Sequence, residues 1–359
     1  MRIVVLTSLA GFFMGFSAHA QDAPCAAATT ACTEMLALPG SQGRVLVYRT
    51  YPLDARNVAV KRGLIVIHGL GRDADSYFRS SLAATFLAGA LGDTIVIVPR
   101  FASNEGGACN DTLATGEISW HCQPRSDSWR TGGASPDNST TSFDVVDELL
   151  RRLNRKDVFP NLRAIVVAGH SAGGQFVNRY EMANTVHDTV DVKPTYVVAN
   201  PSSYAYFDEL RPTASAFPSN VAALPPGYQA PLPPNPPSAF AAYFDRTNCA
   251  TYDTWPYGMH QRNGYAAKVS EEQLKKQLAA RPTTYLLGEL DILPLYGFDS
   301  SCAAMAQGGT RLARGFAYSK YVDERYGAKH RAVEVPACGH SARCMFTSET
   351  TLPLLFPKE

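Results

Sequence analysis

Apolar residues run along the chain in short, nearly unbroken, β-branched stretches closed by Gly, Pro or Asp: Gly63 to His68, Asp93 to Pro99, Ala164 to Ala168 and Thr195 to Ala199. A strand with one wet face alternates apolar and polar residues. A continuous run is buried on both faces, as in a parallel sheet covered by helices. Thr284 to Gly288 and Ala332 to Val335 extend the series, whereas Val45 to Tyr51 alternates and reads as an antiparallel edge. Helical segments fall between the runs. Asp75 to Ala90 is rich in Ala and Leu, Thr141 to Arg155 opens with Thr141-x-x-Asp144, and Glu271 to Ala280 follows Ser270 with Gln273 three residues on. The last two patterns put side chains where they cap orphan helix amides. Ala303 to Tyr326 is interrupted by Gly308 and Gly309 and reads as two pieces. Strand and helix alternation predicts an α/β fold with a mostly parallel, doubly wound sheet, one domain over residues 21–359.

Prolines crowd the stretch from Pro212 to Pro237, where neither a helix nor a central strand can form. Because it falls between two sheet strands, residues from Phe207 to about Gly264 are expected to form a Pro-rich insertion lying over one end of the sheet, the alternative being a long decorated surface loop. The first twenty residues have the order of a cleaved signal peptide: Arg2, an apolar run from Ile3 to Phe16, then Ala18-His19-Ala20. Asp22-Ala23-Pro24 before Cys25 does not make a lipoprotein box. The expected location is periplasmic or secreted.

An oxidising compartment gives the eight cysteines a meaning. Cys25, Cys32, Cys109, Cys122, Cys249, Cys302, Cys338 and Cys344 form an even set with no C-x-x-C, so disulfides are expected rather than a metal cluster. Pairing of neighbours along the chain (25 with 32, 109 with 122, 249 with 302, 338 with 344) closes the shortest loops. The 33 Lys and Arg against 32 Asp and Glu leave a net charge of +1 and no long like-charge block, which argues against nucleic acid and anionic membranes as partners. A small molecule or a polymer is the expected ligand.

Chemistry enters at Gly169-His170-Ser171-Ala172-Gly173, a G-x-S-x-G between a strand and a helix. In that context the glycines permit a sharp turn that lifts the serine hydroxyl above the sheet. A serine hydroxyl is a weak nucleophile and needs a histidine to take its proton and a carboxylate to orient the imidazole. Two later strand ends supply them. Gly288-Glu289-Leu290-Asp291 offers Asp291 as the acid, with Glu289 the rival; Cys338-Gly339-His340 offers His340 as the base. Donors for the tetrahedral oxyanion are expected at the backbone N–H of Ala172 and of Leu70, in His68-Gly69-Leu70-Gly71. No step in this chemistry calls for a metal or a cofactor.

These motifs, AGHSAGG, VIHGLG, GELDILP and CGHSARCMF, resemble the nucleophile, oxyanion, acid and base elements of α/β-hydrolase-fold serine hydrolases, from about Arg44 to the C-terminus. The resemblance implies that fold, with Ser171, Asp291 and His340 as triad. Within it, GFDSSCAAMAQGGTRLARG together with CGHSARCMF is similar to the oxidised poly(vinyl alcohol) hydrolases, bacterial periplasmic enzymes that cleave β-diketones. Polyhydroxyalkanoate depolymerases and carboxylesterases share the triad and are the alternative, and a non-catalytic binding protein of hydrolase fold is the reading from another class. The insertion's aromatic cluster, Trp255 and Tyr257 foremost, is expected either to line the substrate pocket or to form the insertion's own core.

Overall fold

The computed structural model describes residues 23–123, 125–213, 239–295 and 297–358. In chain order the strands are β1 (Thr33–Ala37), β2 (Arg44–Arg49), β3 (Arg62–Ile67), β4 (Thr94–Pro99), β5 (Ala164–His170), β6 (Pro194–Ala199), β7 (Leu210–Pro212), β8 (Phe240–Ala242), β9 (Thr283–Gly288) and β10 (Arg331–Val335). The helices are α1 (Ala74–Leu87), α2 (Ser142–Leu153), α3 (Ala172–Ala183), α4 (Glu271–Ala280), α5 (Cys302–Met305), α6 (Arg311–Tyr326), α7 (Ala342–Thr347) and α8 (Leu352–Leu355). Eight strands form one sheet in the order β1-β2-β4-β3-β5-β6-β9-β10. The two β1 and β2 pairings are antiparallel and the rest are parallel.

Why the apolar runs are continuous is visible in the layers. Successive residues of a strand point to opposite faces. Ile65, Ile97, Ile165, Val167, Val198 and Leu287 therefore pack on one side, with Leu149, Phe176, Tyr180 and Tyr318 of α2, α3 and α6. Leu64, Val66, Val96, Val166, Val197 and Leu286 pack on the other, with Phe78 and Leu82 of α1 and Met345 and Phe346 of α7. Both faces are dry, so neither register of the strand can afford a polar residue. The expected caps are present: Thr141 and Asp144 form a reciprocal capping box on α2, and the Ser270 side chain accepts from Gln273 N–H at the start of α4. The Ala303 to Tyr326 segment is indeed two helices, α5 and α6.

One expectation needs correction. Val45 to Tyr51 holds an antiparallel strand, β2, but not the edge, because β1 lies outside it. β1 has the sequence TEMLA, is mostly half-buried, and carries no β-branched apolar run to announce it. The insertion begins as a two-stranded hairpin, β7 with β8. Its described remainder returns to the helical layer, where the Arg179 guanidinium of α3 donates to the Pro256 carbonyl at 2.7 Å. The prolines from Pro218 to Pro237, and the proposed leader, lie outside the described residues. The cysteines pair as neighbours along the chain, in four disulfides. Among the described residues no helix is long and apolar enough to cross a membrane.

Asp147 of α2 is 1% exposed and accepts from the Tyr180 and Tyr265 hydroxyls at 2.8 and 2.7 Å. Burial nevertheless dominates and pushes its carboxyl up to about 6. A folded-state value above the unfolded one means that the native state holds the proton more tightly. That contribution is complete below about pH 4 and is lost as pH rises through about 6. Asp147→Asn should therefore gain on wild type by the order of 2 kcal/mol between pH 4 and pH 7, read from urea midpoints. Parallel curves for the two proteins would show that Asp147 does not titrate in this window.

Candidate active site

Ser171 sits alone between β5 and α3 with φ of 60° and ψ of −118°. This left-handed, strained backbone persists only because its surroundings over-determine it. The two flanking glycines are required by contact. A Cβ on Gly169 would lie 2.2 Å from the Gly173 carbonyl oxygen, and one on Gly173 would lie 2.1 Å from the Ile67 carbonyl oxygen. The Ser171 N–H donates to the Ala199 carbonyl of β6 at 2.9 Å, tying the turn to the neighbouring strand.

The two other strand ends deliver what the turn needs. His340, in the loop after β10, lies with Nε2 2.9 Å from Ser171 Oγ and Nδ1 2.7 Å from Asp291 Oδ2. Asp291, just past β9, is 2% exposed. With the carboxylate as acceptor, Nδ1 carries the ring proton and Nε2 is left to accept from Ser171. Glu289 is elsewhere: its carboxylate accepts from the Ala337 N–H at 2.7 Å and shapes the loop that leads to His340. The Cys338–Cys344 disulfide ties that loop to α7.

The loop after β3, the expected oxyanion loop, is oriented by a second histidine. His68 Nε2 accepts from the Phe101 N–H at 2.9 Å, so Nδ1 bears the proton and donates to the Gly69 carbonyl, also at 2.9 Å. Burial holds this imidazole down to about 4, hence neutral. The Arg72 N–H donates to the same carbonyl at 3.1 Å. In a trans peptide the N–H points opposite to the carbonyl, so the Leu70 N–H faces away from His68. Leu70 lines the cleft with Ser171. Ala172 opens α3, where the first N–H groups have no partner within the helix.

The cleft has a volume of about 550 Å³ and also takes in Arg72, Asp73, Tyr77, His170 and the Cys109–Cys122 disulfide. Tyr77 Oη is 3.0 Å from His170 Nδ1, and the His170 ring packs on that of His340 with centroids 4.7 Å apart. Burial, then the proximity of His340 and Arg311, holds His170 well below the usual histidine range. Arg72 is spent as a clamp. Its Nε and Nη2 grip Asp111 at 2.6 and 3.3 Å, Nη2 also donates to the Ala108 carbonyl, and Nη1 reaches the Leu70 carbonyl and Cys122 Sγ. All five guanidinium N–H groups are thereby used. Among the described residues, Glu105, Cys109 and Cys122 are the set whose ligand atoms come close enough for a metal. Both sulfurs are in a disulfide, so the set offers one carboxylate.

Trp255 and Tyr257 are not among the residues that line the cleft. Trp255 is 3% exposed in the core against α3, its ring 6.0 Å from the Arg179 guanidinium. Tyr257 donates to Asp299 Oδ2 at 2.8 Å and packs near the Cys249–Cys302 bridge. Trp255 and Tyr257 are thus packed as core residues, whereas Phe244 of the same segment is 91% exposed. Unforeseen from sequence were Arg311 behind Asp291, the Arg72 clamp, and Tyr77 on the cleft wall. The sequence carried no signal for them beyond Arg311 lying in the GGTRLARG segment.

A nucleophile turn over a parallel sheet, followed in chain order by an acid and a base at later strand ends, defines an α/β hydrolase. Residues 64–350 match the alpha/beta hydrolase family, and the chain belongs to it. No curated protein matches the chain in sequence. Among solved structures it is similar to the poly(3-hydroxybutyrate) depolymerase of Bordetella parapertussis, with a TM-score of 0.57 at 20% identity over 90% of each chain. It is also similar to poly(aspartic acid) hydrolase-1 of Sphingomonas sp. KT-1, with a TM-score of 0.53 at 21% identity over 87% of this chain and 94% of that one. At these identities the likeness is one of fold.

If Trp255 is core, Trp255→Ala costs about 3 to 5 kcal/mol of stability, the usual range for truncating a buried Trp. Substrate KM should then stay within about twofold, since no binding contact is lost. A large rise in KM at wild-type stability would return Trp255 to the substrate site.

Proposed function

We propose that this chain is a secreted serine hydrolase that works through an acyl-enzyme on uncharged carbonyl substrates. The observation that carries the reading is the unbroken hydrogen-bonded series Ser171, His340, Asp291, at 2.9 and 2.7 Å, opening on a cleft. His340 takes the Ser171 proton as Oγ attacks the carbonyl carbon. The Leu70 and Ala172 N–H groups receive the oxyanion, and the intermediate collapses as His340 protonates the leaving group. Water then attacks the acyl-enzyme with His340 again as base, releasing a carboxylic acid and Ser171.

The preferred substrate is a β-diketone, as in oxidised poly(vinyl alcohol). There the bond broken is C–C, the leaving group is a ketone enolate whose charge the second carbonyl oxygen accepts, and protonation gives a methyl or methylene ketone. The motif resemblance over Gly297 to Gly315 and Cys338 to Phe346 supports this choice. An ester is the second reading, supported by the fold shared with a poly(3-hydroxybutyrate) depolymerase. The fold shared with a poly(aspartic acid) hydrolase carries less weight, because the cleft's Arg72 is already saturated and its other charged wall residue, Asp73, is an acid that would repel a polyanion. The four disulfides fit an oxidising, extracytoplasmic compartment.

Ser171→Ala should keep the fold and lose at least nine tenths of turnover, and a fluorophosphonate should label wild type at Ser171 and not the variant. Asp291→Asn is expected to lower kcat by about four decades, as for the orienting acid of other triads. With acetylacetone-type diketones the products should be one carboxylic acid and one ketone per turnover. Turnover of short-acyl p-nitrophenyl esters with none on diketones would move the assignment to an esterase.

A further inference from the structure

Arg311, the first residue of α6, is 1% exposed, yet it carries a charge into the space behind the triad acid. Its Nη1 lies 3.3 Å from Asp291 Oδ1, its Nε donates to Ser202 Oγ at 2.8 Å, and its Nη2 donates to the Leu295 carbonyl at 2.8 Å. The guanidinium also packs on Phe298, 5.2 Å from the ring centre. We propose that Arg311 is a positioning residue that fixes the Asp291 carboxylate and sets the lowest pH at which His340 can act as a base. This rests on the serine-hydrolase reading.

Geometry comes first. A carboxylate with a partner on one oxygen can swing about its own axis; Asp291 has His340 on Oδ2 and Arg311 on Oδ1, so its plane is held from both ends. Arg311 cannot follow the acid if it moves, because Ser202 after β6 and Leu295 after β9 anchor the same guanidinium. Charge comes second. A carboxylate this buried and unpaired would take up a proton, and a protonated Asp291 would no longer draw on the His340 Nδ1 proton. The guanidinium keeps its charge through the working range. Burial pulls Arg311 down and Asp291 offsets this.

The same positive charge opposes a second one on His340. The groups that face the imidazole are Asp291 and Ser171 through its two nitrogens, His170 with its ring tilted against it, and Tyr77, Arg72 and Asp73 on the cleft walls. His170 is neutral and Arg72 is paired with Asp111. Asp73 remains as a surface carboxylate on the wall, and Arg311 is the cation joined directly to the triad acid. Behind the pair, Asp291 helps to raise the buried Tyr204 hydroxyl and Asp299 helps Arg311 to keep its charge. Without the Arg311 charge the hydrogen-bonded pair of Asp291 and His340 takes up a proton at a higher pH, whichever of the two holds it, and activity fails sooner on acidification.

The rate of Ser171 labelling by a fluorophosphonate, followed against pH, tests this without needing the natural substrate. Arg311→Met should move the acidic midpoint up by about one pH unit. Arg311→Lys keeps the charge and should label a few-fold more slowly at the wild-type midpoint, since the forked anchors are lost. An unmoved midpoint in the Met variant, or the same displacement in both variants, overturns the proposal. Should Arg311→Met not fold, Ser202→Ala decides: it frees one anchor and keeps the charge, so slower labelling at an unchanged midpoint is expected, and a wild-type rate overturns the positioning role. Absence of labelling in wild type, or equal labelling of Ser171→Ala, would instead sink the serine-hydrolase reading.

Discussion

The turn that carries Ser171 is closed against any side chain on both of its flanks. The start of α3 lies so near β5 and β3 that a Cβ on Gly169 or Gly173 would fall within 2.2 Å of a backbone oxygen. That approach does two things at once. It forces Ser171 into its left-handed backbone, with the hydroxyl clear of the sheet, and it brings the first N–H groups of α3 up against the end of β3. The loop that carries Leu70 begins there, so the strand end and the helix start that hold Leu70 and Ala172 are in contact beside Ser171. The dry parallel sheet is the other half of the constraint. β5 is hydrogen-bonded on both sides, to β3 and β6, and cannot shift to relieve the strain.

Around this turn the polar groups are held by partners of fixed geometry. His68 uses both ring nitrogens on backbone groups, one of them the carbonyl of the Gly69–Leu70 peptide. Tyr77 bridges to His170, whose ring packs on His340. Arg311 and Arg72 are cations turned to structural use, the first on Asp291 and the second joining the oxyanion loop to the disulfide-closed loop of residues 109–122. A site built this way needs little rearrangement as charge develops on the substrate, which is the general basis of electrostatic catalysis.

Most of the sheet could be read from the chain because a strand buried on both faces writes one unbroken apolar run, as Leu64 to Ile67 and Ile165 to Ala168 do. β1 was illegible for the same reason reversed: a half-buried outer strand needs no such run. Ser171, Asp291 and His340 were legible as candidates because each stands just past a strand end within three residues of a glycine, where the fold leaves few alternatives. Arg311 was not, since an Arg in the first turn of a helix usually reads as a solvated residue, and its link to Asp291 spans twenty positions in sequence. Trp255 and Tyr257 show a further limit. An aromatic cluster has the same composition whether it walls a pocket or fills a core, and only packing against Arg179 and Asp299 separates the two.

The division of charge bears on what the cleft can hold. Two arginines stand near the candidate triad: Arg72 has four N–H groups on oxygens and one on Cys122 Sγ, and Arg311 uses Nε, Nη1 and Nη2 on Ser202, Asp291 and Leu295. A guanidinium in that condition cannot offer a carboxylate or phosphate the forked pair of bonds that makes such recognition strong. Asp73 on the wall adds repulsion for anions, and burial raises its carboxyl above the usual range. What remains to grip a substrate is apolar contact, a few backbone N–H groups and the reacting carbonyl itself. Binding of that kind suits the uncharged carbonyl substrates proposed above, for which affinity would come from area and only the contacts to the oxyanion would strengthen as the reaction proceeds.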